Sequence, residues 1–421
     1  MLNPQPLSRR RLLALTLALF NLLPIFRISL AAPAGPERWE KAIQTFEAAD
    51  KTNPPPKDAT LFVGGSNIRR WTNVADYFPG TKVINRGFGG ARLADVAHFA
   101  DRIVIPYAPK TIYLNAGGND LSAGKTPEQI RDSCRDFVQK VRAALPQTRI
   151  FCIAIPPTPS GLKRGGLPLI KSMNRLLEAY AREDGKLGFI DIYRHLIGRN
   201  EQGRPELFVS DGTHFNPQGC ELVTSVIRWQ DEINALLAKE KNSPPPANEV
   251  LFLGSSSIRR WTNLVSDFPN YQVINHGFGG SQIIDSVVFA DDLVLPCAPR
   301  LIVFYAGGND INAGKTPERV LADFQAFAKK VHDHLPGTRI ACISIAGNPK
   351  RWAQIEQVRQ ANRLIEAFTR TDPRLQFINV FTAMLGADGL PLPDIFVEDN
   401  LHMNARGYAI WTKIVEPYLK K

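Results

Sequence analysis

The segment LFVGGSNIRRW at residues 61–71 returns as LFLGSSSIRRW at residues 251–261. In each copy a short apolar run, typical of a buried strand, ends in a small-residue turn that carries a serine. Two further pairs keep the same spacing of 190 residues: VINRGFGG at 83–90 with VINHGFGG at 273–280, and AGGND at 116–120 with 306–310. The chain of 421 residues is therefore an internal duplication, and it contains two domains of similar design.

The repeat begins before these motifs, because Arg38-Trp39 matches Arg228-Trp229 at the same spacing. Each lead-in has a helical pattern that ends at three consecutive prolines, which cannot continue a helix. The first copy runs into the second lead-in without an intervening Gly or Pro, which predicts one nearly continuous helix over about 217–239. We expect four segments: a leader at 1–34, a first domain at 35–240, a Pro-rich linker at 241–248 and a second domain at 249–421.

Short β-rich runs alternate with longer helical patterns in both copies. The predicted strands of the first copy are 60–63, 82–85, 111–115, 149–153 and 188–192, and those of the second are 250–253, 272–275, 301–305, 339–343 and 376–380. Strands that are apolar throughout and alternate with helices predict an α/β fold, in which a parallel sheet is covered on both faces. Functional residues of such folds lie at the carboxyl ends of the strands. Three glycine-rich loops follow predicted strands directly in each copy, so we expect them to meet at one edge of the sheet.

The amino-terminal segment predicts export. Arg9, Arg10 and Arg11 precede an apolar run of about 15 residues, and small residues follow at 29–34. The run is short for a membrane-spanning helix, which needs about 20 residues. A twin-arginine signal and a general secretory signal both fit this pattern, and an uncleaved anchor is a third alternative. We expect a periplasmic or extracellular protein without stable membrane insertion once the leader is removed.

The formal net charge is +11, and four of the 51 basic residues lie in the first 34 residues, which contain no acid. The remaining surface is moderately basic and has no Lys/Arg-rich block with interleaved aromatics. This pattern argues against nucleic-acid binding. The sequence does not indicate an oligomeric state.

Each copy contains the residue types that activate a serine nucleophile. A serine hydroxyl needs a base to take its proton, and histidine is the side chain suited to that task near neutral pH. A carboxylate on the other ring nitrogen fixes the tautomer and stabilises the imidazolium. The sequence offers Asp-x-x-His before the last helix of each copy. The candidate catalytic residues are Ser66, Asp211 and His214 in the first copy, and Ser256, Asp399 and His402 in the second.

A tetrahedral intermediate also needs hydrogen-bond donors directed at its oxyanion. Glycine lets the backbone approach closely, and an Asn side chain supplies an amide N–H. The candidate oxyanion donors are Gly90, Asn119 and the N–H of Ser66, and their counterparts are Gly280, Asn309 and the N–H of Ser256. The alternative, purely structural interpretation is that both serines only cap the following helices.

The four blocks taken together resemble the SGNH hydrolases, the GDSL-type esterase/lipase superfamily. The resemblance covers nearly the whole chain after the leader, once per copy. It implies two tandem flavodoxin-like three-layer α/β/α sandwiches with parallel five-stranded sheets. It also implies ester hydrolysis without a metal or a cofactor, by the serine, Asp/His, glycine and asparagine residues named above. One position departs from the family, because its block-one Asp is Gly65 in the first copy and Ser255 in the second.

The resulting hypothesis is an exported serine esterase that acts on small-molecule or carbohydrate esters, with acetyl or other short-chain esters as the first guess. Two alternatives remain open. One domain, expected to be the first because of its looser Gly65-Ser66-Asn67 turn, is a carbohydrate-binding or scaffolding module. Otherwise the chain is an O-acyltransferase, since the same triad serves a sugar acceptor as well as water.

Overall fold

The computed structural model describes residues 35–198, 200–242 and 244–420. It contains ten strands in two sheets of five. The strands of the first sheet are β1 (Thr60–Gly64), β2 (Val83–Gly87), β3 (Thr111–Asn115), β4 (Arg149–Ile153) and β5 (Leu187–Ile190). Those of the second are β6 (Val250–Gly254), β7 (Val273–Gly277), β8 (Leu301–Tyr305), β9 (Arg339–Ile343) and β10 (Leu375–Ile378).

All neighbouring strands pair in parallel, and both sheets have the same order. The first is β2-β1-β3-β4-β5, and the second is β7-β6-β8-β9-β10. This is the flavodoxin-like doubly wound order, which reverses direction beside the first strand. The expected tandem α/β sandwiches are confirmed, and the strand positions predicted from the apolar runs agree to within two residues.

Helices flank both sheets because parallel strands bury both of their faces. Leu61 and Val63 pack on one side of β1, whereas Phe62 packs on the other. The helices of the first copy are Glu40–Thr52, Ser66–Arg70, Leu93–Ile103, Gly118–Ser122, Pro127–Ala144, Pro159–Lys163, Leu167–Asp184, Tyr193–Leu196 and Pro217–Asn242. Those of the second are Ser256–Arg259, Leu264–Asp267, Ile283–Val288, Ala290–Leu293, Gly308–Asn312, Pro317–His334, Ile355–Thr369 and Ala405–Val415.

The helix Pro217–Asn242, here called the joining helix, connects the two sheets without a break. It begins where expected and extends three residues beyond the expected end, so residues 241 and 242 are helical and not part of a linker. Near the middle of the helix, Gln230 hydrogen-bonds the backbone of Phe189 and Asp191 in the first domain at 2.7 Å each. Two residues later, Glu232 accepts a hydrogen bond from the N–H of Gly279 in the second copy at 3.0 Å. We therefore propose that the second repeat unit begins near residue 228 and not after 240.

The two domains also contact each other directly. Ser225 donates to Asp285 at 2.5 Å, and Arg319 pairs with Glu221 at 2.6 Å. One apolar cluster runs without interruption from the first sheet, across the joining helix, to the second sheet. Such a shared core opposes independent swinging of the domains.

Within the described residues, no helix is both long and apolar enough to cross a membrane. The predicted leader at 1–34 lies outside the described residues.

Candidate active site

The turn that holds Ser66 is shaped by close backbone packing at the end of β1. Gly64 has a φ of +147°, and a Cβ placed on it would lie 2.0 Å from the carbonyl oxygen of Asn115. A Cβ on Gly87 would lie 2.2 Å from the N atom of Arg69. Only glycine fits at these two positions. The chain thus turns sharply after β1, and Ser66 becomes the first residue of the next helix.

The first triad closes across 148 residues of sequence. His214 Nε2 lies 2.8 Å from Ser66 Oγ, and His214 Nδ1 lies 2.7 Å from Asp211 Oδ2. Asp211 Oδ1 accepts from the N–H groups of Thr213 and His214 at 2.8 and 3.0 Å. Because an ionised carboxylate can only accept, Nδ1 carries the ring proton and Nε2 accepts from the serine hydroxyl. This is the arrangement that a general base requires.

The second triad repeats this geometry. His402 Nε2 lies 2.9 Å from Ser256 Oγ, and His402 Nδ1 lies 2.6 Å from Asp399 Oδ2. Asp399 Oδ1 accepts from the N–H groups of Leu401 and His402 at 2.9 Å each. The two candidate triads that the sequence indicated are therefore each brought together in the structure.

The loops that carry the two histidines are fixed by the same local contacts. Phe208 pairs with Phe215 in an antiparallel bridge, as Phe396 does with Met403, and each bridge encloses the Asp-x-x-His turn. In the second copy Asn404 then caps the last helix through the N–H groups of Arg406 and Gly407. The turn is thus anchored at both ends, which holds each imidazole against its serine.

Both triad carboxylates have lowered pKa values. Partial burial acts to raise the pKa of Asp211, but hydrogen bonds from the His214 ring and from two backbone N–H groups outweigh it and hold that pKa well below its usual range. In the same way, burial acts to raise the pKa of Asp399, and the hydrogen bonds from His402 and Leu401 lower it to about 2. Both carboxylates are ionised at any pH near neutrality.

Two arginines of the nucleophile helices contact these carboxylates. Arg70 Nη1 lies 3.1 Å from Asp211 Oδ2, and Arg260 Nη1 lies 3.8 Å from Asp399 Oδ2. The sequence repeat does mark these arginines, because Arg-Arg-Trp recurs at the same distance from both serines. Sequence reasoning did not identify the partner, which lies about 140 residues away.

The expected oxyanion donors lie at the carboxyl edge of the sheets. The Asn119 side chain donates to the carbonyl of Ala91 at 3.1 Å, and its Nδ2 lies 3.2 Å from where a Cβ on Gly65 would be. Asn309 donates to the carbonyl of Ser281 at 3.0 Å. In the described part of the chain, the N–H groups of Gly90 and Gly280 have no acceptor. Both Asn side chains therefore face their serine turns with one amide hydrogen still available.

The glycine turns of the two copies differ in detail. Gly90 has the positive φ of +80° in the first copy, and a Cβ there would lie 3.0 Å from the ring of Trp39. In the second copy the positive φ of +33° falls one residue earlier, at Gly279, which lies against Trp229. The lead-in tryptophan of each repeat thus supports the glycine turn, which explains why the repeat extends back to it.

The cavities beside the two serines differ greatly in size. The first, of about 350 Å³, adjoins Ser66 and is lined by apolar Ile155, Leu169 and Ile170 and by polar Thr158 and Arg164. The second, beside Ser256, has only about 40 Å³.

Two substitutions between the copies account for this difference. Strand register places Tyr305 where the first copy has Asn115. The N–H of Gly161 binds Thr158 Oγ1 and that of Arg351 binds Asn348 Oδ1, so Arg351 occupies the place of Gly161. The larger side chains fill the second site.

Asp120 and Asp310 follow the two candidate asparagines and are fully buried. Each accepts a hydrogen bond at 3.1 Å from the backbone N–H of the first residue of a helix, Asp120 from Leu93 and Asp310 from Ile283. They brace the loops that carry Asn119 and Asn309. Among the described residues there is no group of three or more His, Cys, Asp or Glu that could hold a metal ion.

Comparison with known proteins gives one family. The model of the GDSL-like Lipase/Acylhydrolase family matches residues 55–222 and again residues 248–410. No curated protein matches the sequence significantly.

Solved structures resemble single copies. A GDSL-like lipase from Bacteroides thetaiotaomicron is 17% identical, covering 44% of this chain and 96% of its own, with a TM-score of 0.40. A member of the lipolytic G-D-S-L family from Veillonella parvula is 16% identical, covering 40% and 95%, with a TM-score of 0.34. A catalytic mutant of an acetylxylan esterase from Geobacillus stearothermophilus is 15% identical, covering 41% and 93%, with a TM-score of 0.35.

Proposed function

The chain belongs to the GDSL-like lipase/acylhydrolase family, and from that premise we propose that it hydrolyses carboxylic esters through acyl-enzymes on Ser66 and on Ser256. The observation that carries the proposal is the contact between each serine and its histidine, at 2.8 Å in the first copy and 2.9 Å in the second. In both copies the second ring nitrogen binds an ionised carboxylate.

The chemistry follows from this arrangement. His214 takes the proton of Ser66 as Oγ attacks the ester carbonyl, and Asp211 stabilises the imidazolium that forms. The N–H groups of Gly90, Ser66 and Asn119 receive the negative oxygen. Collapse of the intermediate expels the alcohol, which takes the proton from His214. Water then attacks the acyl-enzyme by the same steps, releasing the acid and the free serine. The residues of the second copy perform the same sequence.

The substrates that we propose are acetyl and other short-chain esters, including esters on carbohydrate. The cavity beside Ser66 supports this assignment for the first copy, because its apolar wall suits an acyl chain and its polar rim suits a hydroxylated alcohol. The smaller second cavity restricts the second copy to smaller acyl groups. We also propose that the protein is exported, on the strength of its amino-terminal sequence.

Serine substitutions in the full chain test the proposal. We expect a fluorophosphonate probe to label both Ser66 and Ser256, and to label only the remaining serine in Ser66→Ala and Ser256→Ala. The double variant should lose about 10³-fold or more of its activity on 4-nitrophenyl acetate, because the nucleophile is absent. Ser133→Ala, on a helix away from both sites, serves as the control. Full activity in the double variant would refute the assignment.

The same variants decide whether one copy is only a binding module. A first copy without catalysis requires that Ser66→Ala leave activity unchanged. The cavity sizes favour the opposite outcome for bulky esters, since the first site has the larger space beside its nucleophile. We therefore expect Ser66→Ala to abolish hydrolysis of 4-nitrophenyl butyrate, while both single variants still hydrolyse the acetate.

A further inference from the structure

The second site lies beside a cleft between the two domains. This inter-domain cleft, of about 570 Å³, is lined by the first-domain loop 73–79, by the joining helix, and by Gly280, Asn309 and Arg351 of the second copy. Asn309 and Arg351 also line the 40 Å³ cavity at Ser256. The cleft and the catalytic cavity are therefore neighbours, and these two side chains stand between them.

Arg351 is a half-buried cation without an acidic partner in the described structure. Its Nη1 donates to the carbonyl of Gly308 at 3.1 Å and to Asn309 Oδ1 at 3.0 Å, and both acceptors are neutral. Burial lowers its pKa, but a guanidinium remains charged in proteins. A charge held in this way costs free energy unless a ligand neutralises it.

Arg228 is a second arginine in the same cleft. Its counterpart in the first copy, Arg38, pairs with Asp95 at 2.9 Å. In the second copy the equivalent carboxylate, Asp285, is bound instead by Ser225 Oγ at 2.5 Å and by the N–H of Gln282 at 2.7 Å. Arg228 thus forms no ion pair within the described residues, and its guanidinium lies over the ring of Trp229, 5.0 Å from the ring centroid.

The other charges of the cleft are mostly neutralised. Glu221 is paired with Arg319, and Lys315 with both Asp310 and Asp323. Asp76 is exposed at the rim. Asp285 also lines the cleft without an ion pair, but it is buried and accepts hydrogen bonds from Ser225 and from the N–H of Gln282. The cations inside the cleft that have no acidic partner among the described residues are the two arginines, and guanidinium groups bind carboxylates in a planar, two-point geometry.

Size indicates which part of the substrate carries the negative charge. A cavity of 40 Å³ is enough for about three water-sized atoms, at roughly 10–15 Å³ each. An acetyl group fits there, and an alcohol directed past Asn309 and Arg351 would enter the cleft.

We propose that the second site is specific for small-acyl esters of a carboxylate-bearing alcohol, whose carboxylate binds Arg351 and Arg228 in the inter-domain cleft. This inference rests on the proposed esterase activity of Ser256. It makes the two copies differ in substrate, because the second takes acidic esters with small acyl groups whereas the first cavity has room for larger acyl groups. It also gives the first domain a role in the second site, because its loop 73–79 forms one wall.

The test compares two acetate esters of equal size, anionic 4-acetoxybenzoate and neutral 4-acetoxybenzamide. The full-length Ser66→Ala chain isolates the second site. We expect its kcat/KM for the benzoate to exceed that for the benzamide by about tenfold or more. Arg351→Gly, which introduces the residue of the first copy, should bring the ratio close to one by raising KM for the benzoate. Arg351→Lys should restore part of the preference, and Arg228→Leu should lower it.

A merely structural role for Arg351 would slow both esters equally and leave the ratio unchanged, which would overturn the proposal. So would a ratio near one in Ser66→Ala itself. The matched control is Arg351→Gly in the Ser256→Ala chain, where the first site should show no change in ratio.

If Ser66→Ala hydrolyses neither ester, the esterase assignment of the second site fails, and calorimetry then tests the anion site alone. Binding of 4-hydroxybenzoate, absent for 4-hydroxybenzamide and lost in Arg351→Gly, would support the site. Absence of that binding would refute it.

Discussion

At the residue scale, each candidate triad depends on a carboxylate that is partly exposed to solvent. The side chains of Asp211 and Asp399 are 39% and 40% exposed, and each is held by its histidine, two backbone N–H groups and an arginine. Water can partly replace the hydrogen bond and the charge stabilisation that such a carboxylate gives the histidine. We therefore expect the histidine to lose orientation and charge stabilisation without it, but less completely than around a buried carboxylate.

Substituting Asp211 by Asn in the Ser256→Ala chain tests this expectation. The amide cannot hold the Nδ1–H tautomer of His214, so we expect kcat on 4-nitrophenyl acetate to fall by about 10²–10³-fold, less than the roughly 10⁴-fold seen for a buried triad aspartate. KM should change little. Asp132→Asn, on an exposed helix face, is the control. Unchanged kcat would show that Asp211 does not orient the base.

At the element scale, the active-site edge depends on strand ends that approach too closely for side chains. Gly64 and Gly254 end the central strands β1 and β6, and a Cβ on either would lie within 2.0 Å of the carbonyl oxygen at the end of the neighbouring strand. The turn that presents the serine is thus fixed by backbone packing between β1 and β3, and by the same packing between β6 and β8. The two loops that carry the Asp-x-x-His turns then close on these edges.

Gly64→Ala should therefore disrupt the first domain. The added methyl group meets backbone at a φ of +147°, so we expect a loss of roughly 3 kcal/mol or more of unfolding free energy. Labelling of Ser66 by the fluorophosphonate probe should fall as well. Gly124→Ala is the matched control, because its φ of +80° carries a cost of roughly 1–2 kcal/mol and no atom lies within 4 Å. Urea unfolding measures both variants, and equal losses would contradict the packing argument.

At the scale of the whole molecule, the two domains share an apolar core across the joining helix. His195 of the first domain lies in this interface, with its ring 5.3 Å from that of Phe289 in an edge-to-face contact. Burial, followed by the positive charges of Arg194 and Lys330, lowers the pKa of His195 to about 3, against the opposing effects of Asp291 and a backbone hydrogen bond to Val288. Protonation of this ring therefore opposes docking of the domains.

Burial of neutral His195 makes the stability of the protein depend on pH. The folded pKa of about 3 lies below the unfolded value of about 6.5, so the stability contributed by neutral His195 is complete above pH 6.5 and is lost as the pH falls towards 3. From pH 7 to pH 5 the wild type should lose about 2 kcal/mol of unfolding free energy more than His195→Gln. The exposed His98→Gln should behave as wild type. Urea unfolding at both pH values measures the difference, and identical pH dependence in His195→Gln would contradict the prediction.

Much of the site could be predicted from the sequence because its parts follow strands directly. The serines, glycines and asparagines come immediately after apolar runs. The carboxyl ends of parallel strands lie at one edge of the sheet regardless of the conformation of the connecting loops. Ser66 and Ser256 thus each meet the expected histidine. The duplication strengthened the prediction of functional positions, because residues that recur at the same spacing have equivalent contacts. Trp39 and Trp229, for example, each pack against the glycine turn of their own copy.

The amino-acid sequence by itself determined two copies, two parallel sheets and the members of each candidate triad, because local periodicity and chain order are enough to specify them. Only the tertiary structure decided what surrounds the triads. Arg351 fills the second site, Arg70 reaches Asp211, and the joining helix brings Arg228 into a cleft between domains. These contacts join side chains that are far apart in the chain, and their directions depend on how loops and domains pack rather than on any local pattern.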